Sequence, residues 1–397
     1  MVKKSKVLGG VLLVAGTTIG AGMLAMPVST GGGGFLPSCV LLLIVWLCML
    51  FTAFLMLEVN LWMSGDSNII TMAKHTLGKV GQAITWIVYL LLLYSLTAAY
   101  IVGCAPLILH ATSSLTGHEM PFWVGTIPLL VVFGSFVYLG TKAVDWINRL
   151  LMTGLVLSYT LMLSLILPHV DPELLMYENW KVVWPATTVV VTSFGYHIII
   201  PSLTTYLERD VKKLRVTVLI GSTVPLAVYF LWQAAILGAI PAYGEGGLLH
   251  ILELNQPTAH LTHALDRILN SQWVTTASRF FAFFAVVTSF LGVSLSLSDF
   301  LADGLKIKKT EKGKIITCAL TFAPPLIFAL AYPQGFIIAL KYAGVLVAVL
   351  LILLPVAMVW IGRYRKGYVG PFRTWGGKPA MALASIIALV VIAIELI

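Results

Sequence analysis

Eleven stretches of this chain stay apolar for about twenty residues or more: 7–29, 35–62, 82–110, 121–140, 147–167, 185–206, 215–240, 276–299, 314–332, 336–360 and 379–396. A helix of that length crosses the roughly 30 Å hydrocarbon core of a bilayer. Of 397 residues, 59% are hydrophobic and 10% charged, where a soluble domain carries roughly a quarter charged residues. Strands of a membrane β-barrel would be about ten residues long and alternating, and these runs do not alternate. The pattern predicts an all-α polytopic membrane protein, a single domain over 1–397 with short connections and no appended soluble domain.

The basic start "MVKKSK" followed by an apolar run has the outline of a signal peptide. The run is long for one and ten more spans follow, so it reads as an uncleaved first helix. Of the 25 Lys and Arg residues, all but Lys181, Arg267, Arg279 and Lys341 fall in the N-terminal tail or in alternate connections from there. The positive-inside rule places that side, and the N-terminus, in the cytoplasm and the C-terminus outside. The net charge of +9 then reflects topology and anionic lipid head groups. No nucleic-acid recognition motif accompanies it.

Cys39, Cys48, Cys104 and Cys318 lie in or beside spans without CxxC spacing, as buried apolar thiols do. His260 and His263 stand three apart in "TAHLTHALDRIL". Two histidines are a weak metal signal, so the segment reads as a solvated or lid helix, with Leu261, Ala264, Leu265, Ile268 and Leu269 on one face. "SNIITMAKHTLGKVG" (67–81) reads as an interfacial helix on the inner side, capped by Ser67 or Asp66.

Two spans are written with poor helix formers at mid-depth. Span 1 holds "VAGTTIGAGMLAMP" (14–27) and span 6 holds "VVVTSFGYHIIIPSL" (189–203). The spans begin about 178 residues apart, so the two breaks occupy corresponding depths of two five-helix halves, the second upside down relative to the first. Paired interrupted spans in an inverted repeat point to a transporter's central site. Unwound backbone in a bilayer needs polar partners, each unmet group costing several kcal/mol. Half-helix N-termini suit a carboxylate, and freed carbonyls suit an ammonium or a cation. One glycine-rich span alone fits close helix packing equally well, and Gly9, Gly16 and Gly20 allow it. The matching break in span 6 favours a binding site.

With "GTTIGAGMLAMP" and "SFGYH" stand "SFLGVSLSLSDFLAD" (289–303), "LTFAPP" (320–325), "KYAG" (341–344) and "FRTWGGKP" (372–379). Together they resemble the aromatic (hydroxy/aromatic) amino acid permease family over nearly the whole chain. "YSLTAAY" (94–100) with the span 1 motif is most similar to its tyrosine branch. The resemblance implies eleven transmembrane helices in a bacterial inner membrane. Ten would form a 5+5 inverted repeat like that of the bacterial leucine transporter, in the amino acid-polyamine-organocation superfamily. The repeats would be 1–167 and 185–360, with 379–396 an extra C-terminal helix. It implies proton-driven uptake of tyrosine, with a tryptophan or general aromatic permease as the alternative, and neither a cofactor nor an obligate protein partner.

Carried over by position, Thr17, Thr18, Ile19, Gly20, Ala21 and Gly22 would line the span 1 break, and Ser193, Phe194, Gly195, Tyr196 and His197 the span 6 break. Spans 3 and 8 would wall the pocket with Tyr94, Thr97 and Tyr100, and with Thr288, Ser289 and Ser294. Tyr94 and Tyr100 suit bundle packing equally well. Thr288 and Ser289 sit where relatives with this fold hold sodium, though a helical hydroxyl also bonds its own backbone. Ionisable groups within a bilayer are functional candidates by default. Glu58, His197 and Lys341 are the candidates for proton coupling, with Glu58 expected to accept amide hydrogen bonds from the broken backbone of spans 1 and 6. Arg279 reads as a snorkelling side chain. A channel would need polar rings through an oligomer, and an enzyme a nucleophile–base pair or metal motif such as HExxH or GxSxG, neither of which occurs.

Overall fold

The computed structural model describes the chain except residues 1, 64, 66, 119, 255–259, 262, 266–271, 309 and 397. Among the described residues the elements are helical, and the one extended pairing is an isolated bridge between Gly34 and Glu178. Among the described residues, ten helices are long and apolar enough to cross a membrane: Phe35–Trp62, Ile69–Ser113, Phe122–Leu139, Thr141–His169, Trp184–Tyr206, Val211–Ala239, Thr276–Gly304, Glu311–Ala331, Phe336–Tyr364 and Gly377–Glu395. The halves Lys6–Thr18 and Gly22–Gly33 pass the same test together, bent by 54° at the break between them. Each falls on a predicted span, and the chain is a multi-pass membrane protein. Span 10 runs on to Tyr364, which carries Arg363 off the expected loop and into the helix end.

Helices satisfy their own backbone groups, which is why apolar segments in lipid adopt them. Side chains such as Leu47, Ile87, Leu157, Ile327 and Ile386 face outward. Span 2 lies at the centre, its most apolar stretch 72% buried, whereas spans 9 and 11 are peripheral at 22%. Span 8 packs along spans 5 and 3, span 1 along span 7, and span 10 along spans 3 and 6. Small residues bring these pairs close. A methyl on Gly221 of span 7 would stand 2.6 Å from Val14 Cβ of span 1, and one on Gly344 of span 10 would stand 2.3 Å from the Thr188 carbonyl oxygen of span 6.

The helix that contains span 3 begins at Ile69 and breaks at Gly78, with φ 78° and ψ −165°. A short helix therefore stands within the expected segment 67–81, from Ile69 to the break at Gly78. Its cap is Asn68, whose side chain accepts from the Thr71 amide at 2.9 Å. Ser67 instead accepts from Asn60 at 3.0 Å, and Asp66 lies outside the described residues. In the long connection after span 7, Leu261, Ala264 and Leu265 are buried as the helical spacing predicts. Ile268 and Leu269 lie outside the described residues. The His260 and His263 rings stand 6.5 Å apart, and His263 stands 6.2 Å from His110. Cys48 and Cys104 are buried, and Cys39 and Cys318 half-buried.

Candidate substrate site

Span 1 stops being helical after Thr18 and resumes at Gly22. Span 6 stops after Ser193, passes through a 3-10 turn at Tyr196–Ile199 and resumes at Ile200. The two breaks touch. A methyl on Gly22 would stand 2.4 Å from Ser193 Oγ, and one on Gly20 would stand 2.3 Å from Ser289 Oγ. These glycines are needed for room. Gly195, with φ −80° and ψ 42°, is not held in the left-handed region that favours glycine.

The backbone groups freed by the breaks are met from two intact helices. Tyr229 of span 7 is fully buried. Its hydroxyl donates to the Thr18 carbonyl at 2.7 Å and lies 3.1 Å from the Ser193 carbonyl, so one phenol serves the last residue of both first halves. The Ala21 amide donates to Ser289 Oγ at 3.0 Å, while that hydroxyl donates to the Ala285 carbonyl at 2.8 Å. Trp232 Nε1 donates to the Met23 carbonyl at 3.0 Å, and Gln233 Nε2 donates to Thr30 Oγ1 at 2.7 Å. Span 7 thus holds the second half of span 1 as well. Nothing in the sequence marks Tyr229 or Trp232, because an aromatic residue in an unbroken apolar span reads the same whether it faces lipid or a break.

A cavity of about 400 Å³ lies against the breaks. Its wall takes Leu12, Leu13, Gly16, Thr17 and Ile19 from span 1, Thr192, Gly195, Ile198 and Ile199 from span 6, and Tyr89, Leu92, Leu93, Leu96 and Tyr100 from span 3. Asn148 and Met152 come from span 5, Thr288, Ser289, Gly292, Val293 and Ser296 from span 8, and Val347 and Leu351 from span 10. Span 10 loosens into a π turn at Ala348–Leu353 beside it. Most of these residues lie on the N-terminal side of the breaks. On the opposite side the chain is packed shut. Methyls on Gly31 and Gly33 would stand 2.4 Å from Leu248 and 2.6 Å from Val183, and one on Gly103 would stand 2.8 Å from Phe336.

Of the expected site residues, Thr17, Ile19, Gly195, Tyr100, Thr288 and Ser289 reach the cavity wall. Thr18, Gly20, Ala21 and Gly22 form the break behind it. Several others are turned away. The Tyr94 hydroxyl donates to the Leu320 carbonyl of span 9 at 2.9 Å. Thr97 and Ser294 bond back to Leu93 and Phe290 on their own helices. Ser193 bonds the Val189 carbonyl at 2.9 Å, and Phe194 packs edge-on against Tyr229. Tyr196 is buried behind the break, and His197 Nε2 pairs with Thr52 Oγ1 of span 2 at 2.9 Å. A helix points successive side chains about 100° apart, so residues sharing a motif need not share a face.

Glu58 does not join the breaks. It is buried at the other end of span 2, where Arg363 donates Nε to Oε1 at 2.7 Å and Nη2 to Oε2. The Thr374 amide also donates to Oε2 at 2.7 Å, and Arg363 reaches the Thr374 carbonyl at 3.0 Å. The amide bonds expected from the breaks of spans 1 and 6 are not made: the one backbone amide that donates to Glu58 is that of Thr374, in "FRTWGGKP". Lys341 pairs at 3.7 Å with Glu395 of span 11, a carboxylate the sequence hid at the chain's last turn. Outside the spans, Asp210 caps span 7, its side chain accepting from the Lys213 amide at 3.1 Å. The hydrogen bond from the Lys213 side chain holds its carboxyl below the usual range.

The sequence profile of the tryptophan/tyrosine permease family matches residues 3–395. Tyrosine-specific transport system 1 of Haemophilus influenzae is 38% identical, covering 98% of this chain and 96% of that one. Tyrosine-specific transport system 2 of the same organism is 36% identical with the same coverage. A tryptophan-specific transport protein of Pseudomonas aeruginosa is 34% identical over 96% of this chain and 92% of its own.

Proposed function

We propose that this chain, which belongs to the tryptophan/tyrosine permease family, is a secondary transporter that imports tyrosine across a bacterial inner membrane together with protons. Its family and the relatives named above are transport proteins, not enzymes. The observation that carries the rest is the meeting of two broken helices, clasped by Tyr229, at the head of a cavity closed on its far side. At about 400 Å³ the cavity falls in the range of small-ligand sites. Its wall mixes Leu and Ile side chains for a ring with Asn148, Thr192, Thr288, Ser289 and Ser296 for polar atoms.

On this reading the bent helix is one span, and the count is eleven. Residues 1–167 and 185–360 form inverted repeats, and 379–396 is an added helix. The basic connections and the N-terminus lie in the cytoplasm, the C-terminus in the periplasm, and the cavity faces inward. Protons suit the coupling better than sodium. The Thr288 and Ser289 hydroxyls spend their hydrogens on helix carbonyls, and Ser289 Oγ also accepts from the Ala21 amide, which takes up a lone pair that a sodium ion would need. Glu58 is committed to Arg363 and Thr374, which leaves His197 and Lys341 of the three coupling candidates. Tyrosine is favoured over tryptophan by the two tyrosine-specific relatives. Tyrosine over phenylalanine further needs a polar partner for the phenol, since apolar contact discriminates weakly.

Counterflow of labelled tyrosine in proteoliposomes tests this. Tyrosine itself is expected to compete best, and an imposed inward proton gradient to drive accumulation. Tryptophan displacing the label far better would make the chain a tryptophan permease, the reading favoured by the 34% identical relative. Flux without saturation or accumulation would make it a channel.

A further inference from the structure

Glu395 stands on the last helix, outside the ten spans of the proposed repeats. Its carboxylate reaches two neighbours. Lys341 Nζ of span 10 lies 3.7 Å from Oε1, and Thr188 Oγ1, on the first half of span 6, donates to Oε2 at 3.3 Å. Thr188 is fully buried, and the side chain of Glu395 is 14% exposed. One turn further along span 6, Thr192 donates to the Thr188 carbonyl at 2.9 Å and lies 3.2 Å from the Leu340 carbonyl of span 10. Thr192 is also part of the cavity wall. Span 6 therefore meets span 10 directly through the Thr192 hydroxyl and, one turn outward, through the Glu395 carboxylate that joins Thr188 to Lys341. Apart from Lys341, the facing segments 184–193 and 336–353 carry no acidic, basic or histidine residue, so the carboxylate's charge partner there is fixed.

We infer that Glu395 is a positioning residue: it pins the first half of span 6 against span 10 on the closed side of the breaks, and so gives the added helix the task of holding the outer side shut. This rests on the transport reading above. A clamp made in only one state biases the two-state equilibrium by its strength in that state. Loosening it raises the fraction of carriers open to the outside. The apparent KM for tyrosine offered from outside then falls, and turnover falls because return to the closed state is slowed.

The test uses the full chain in proteoliposomes. Glu395→Gln removes the charge, and Thr188→Val removes only the limb to span 6. Both are expected to lower the outer KM about threefold or more while lowering turnover. Both are also expected to slow, by a similar factor, the reaction of an impermeant maleimide from the inner side with a cysteine placed by Ser296→Cys in the cavity wall. The charge swap Lys341→Glu with Glu395→Lys is expected to restore the labelling rate. An unchanged KM with fewer active carriers would make Glu395 a merely structural staple and overturn the inference, as would unaltered labelling. If Glu395→Gln fails to fold, Thr188→Val decides alone. If the wild type carries no aromatic amino acid, the transport reading fails, and labelling still decides on the clamp.

Discussion

Span 10 carries a cation near each end, and the two are held in opposite ways. At the N-terminal side of the bundle, Arg363 and Glu58 have side chains only 5% and 2% exposed, and Glu58 accepts from three donors. At the other side, Lys341 and Glu395 stand 3.7 Å apart with side chains 32% and 14% exposed. The first pair is a rivet: aromatic rings crowd around it, Phe51 on Trp375, Phe54 on Phe372 and Trp62 on Tyr368. The second has a single lysine and a single hydroxyl as partners. On the proposed transport reading, the end near Glu58 stays fixed while the end near Glu395 lets go. Burial and donor number set which is which.

The largest expected effect is at the rivet. Glu58→Gln leaves Arg363 buried without a countercharge, which costs roughly 3–5 kcal/mol. Most of the protein is expected to be lost from the monodisperse peak after detergent extraction. A variant that stays folded and transports normally would erase the contrast between the two ends. Next comes Tyr229→Phe, midway between the pairs. It strips the shared donor from two buried carbonyls, at about 1–3 kcal/mol. A fall in melting temperature together with slowed counterflow is expected, and an unaltered protein would show that the breaks do not depend on their clasp.

Smaller still is the stability change for Glu395→Gln. A partly exposed pair is worth about 0–1 kcal/mol, so its melting temperature should nearly match wild type even where its outer KM does not. A large drop would make the outer pair a second rivet. The half-buried pair Asp210–Lys213, at 2.6 Å, gives the smallest effect. The Asp210 carboxyl titrates below its ordinary value. Its charge therefore contributes stability above the unfolded-state pKa, and this is lost as pH falls through the lowered folded-state value. Asp210→Asn keeps a capping side chain without the charge. Its small deficit at neutral pH should vanish in strong acid in a thermal series, and a deficit that grew on acidification would reverse the sign.

The spans and both breaks were legible because a bilayer imposes length and apolarity on every crossing, and because a glycine cluster that helix packing could explain in one span recurs at mid-depth in a second. The short helix before span 3 was legible from its spacing, although its cap was placed one or two residues early, at Ser67 or Asp66 rather than Asn68. What remained hidden depends on helix rotation and on partners far away in sequence. Tyr94 and Tyr100 belong to one motif, yet one faces span 9 and the other the cavity. Tyr229 looks like any other aromatic in an apolar run until the two carbonyls it meets are known. Arg363 counts as a loop cation unless span 10 is known to run on to Tyr364. Glu58 had the right kind of partner, a backbone amide, and the wrong address, because a carboxylate near one end of a span can be met by any segment that gathers there.

The contact between Gly22 and Ser193 has a consequence in descent. The crossing of the breaks has no volume to spare, since a methyl on Gly22 would fall 2.4 Å from Ser193 Oγ and 3.3 Å from its Cβ. A lineage of such chains can enlarge Gly22 only if Ser193 gives way, by turning its hydroxyl aside or by shrinking. The two sites are thereby bound into one heritable unit across 170 residues of intervening chain, and drift at either is vetoed by its neighbour.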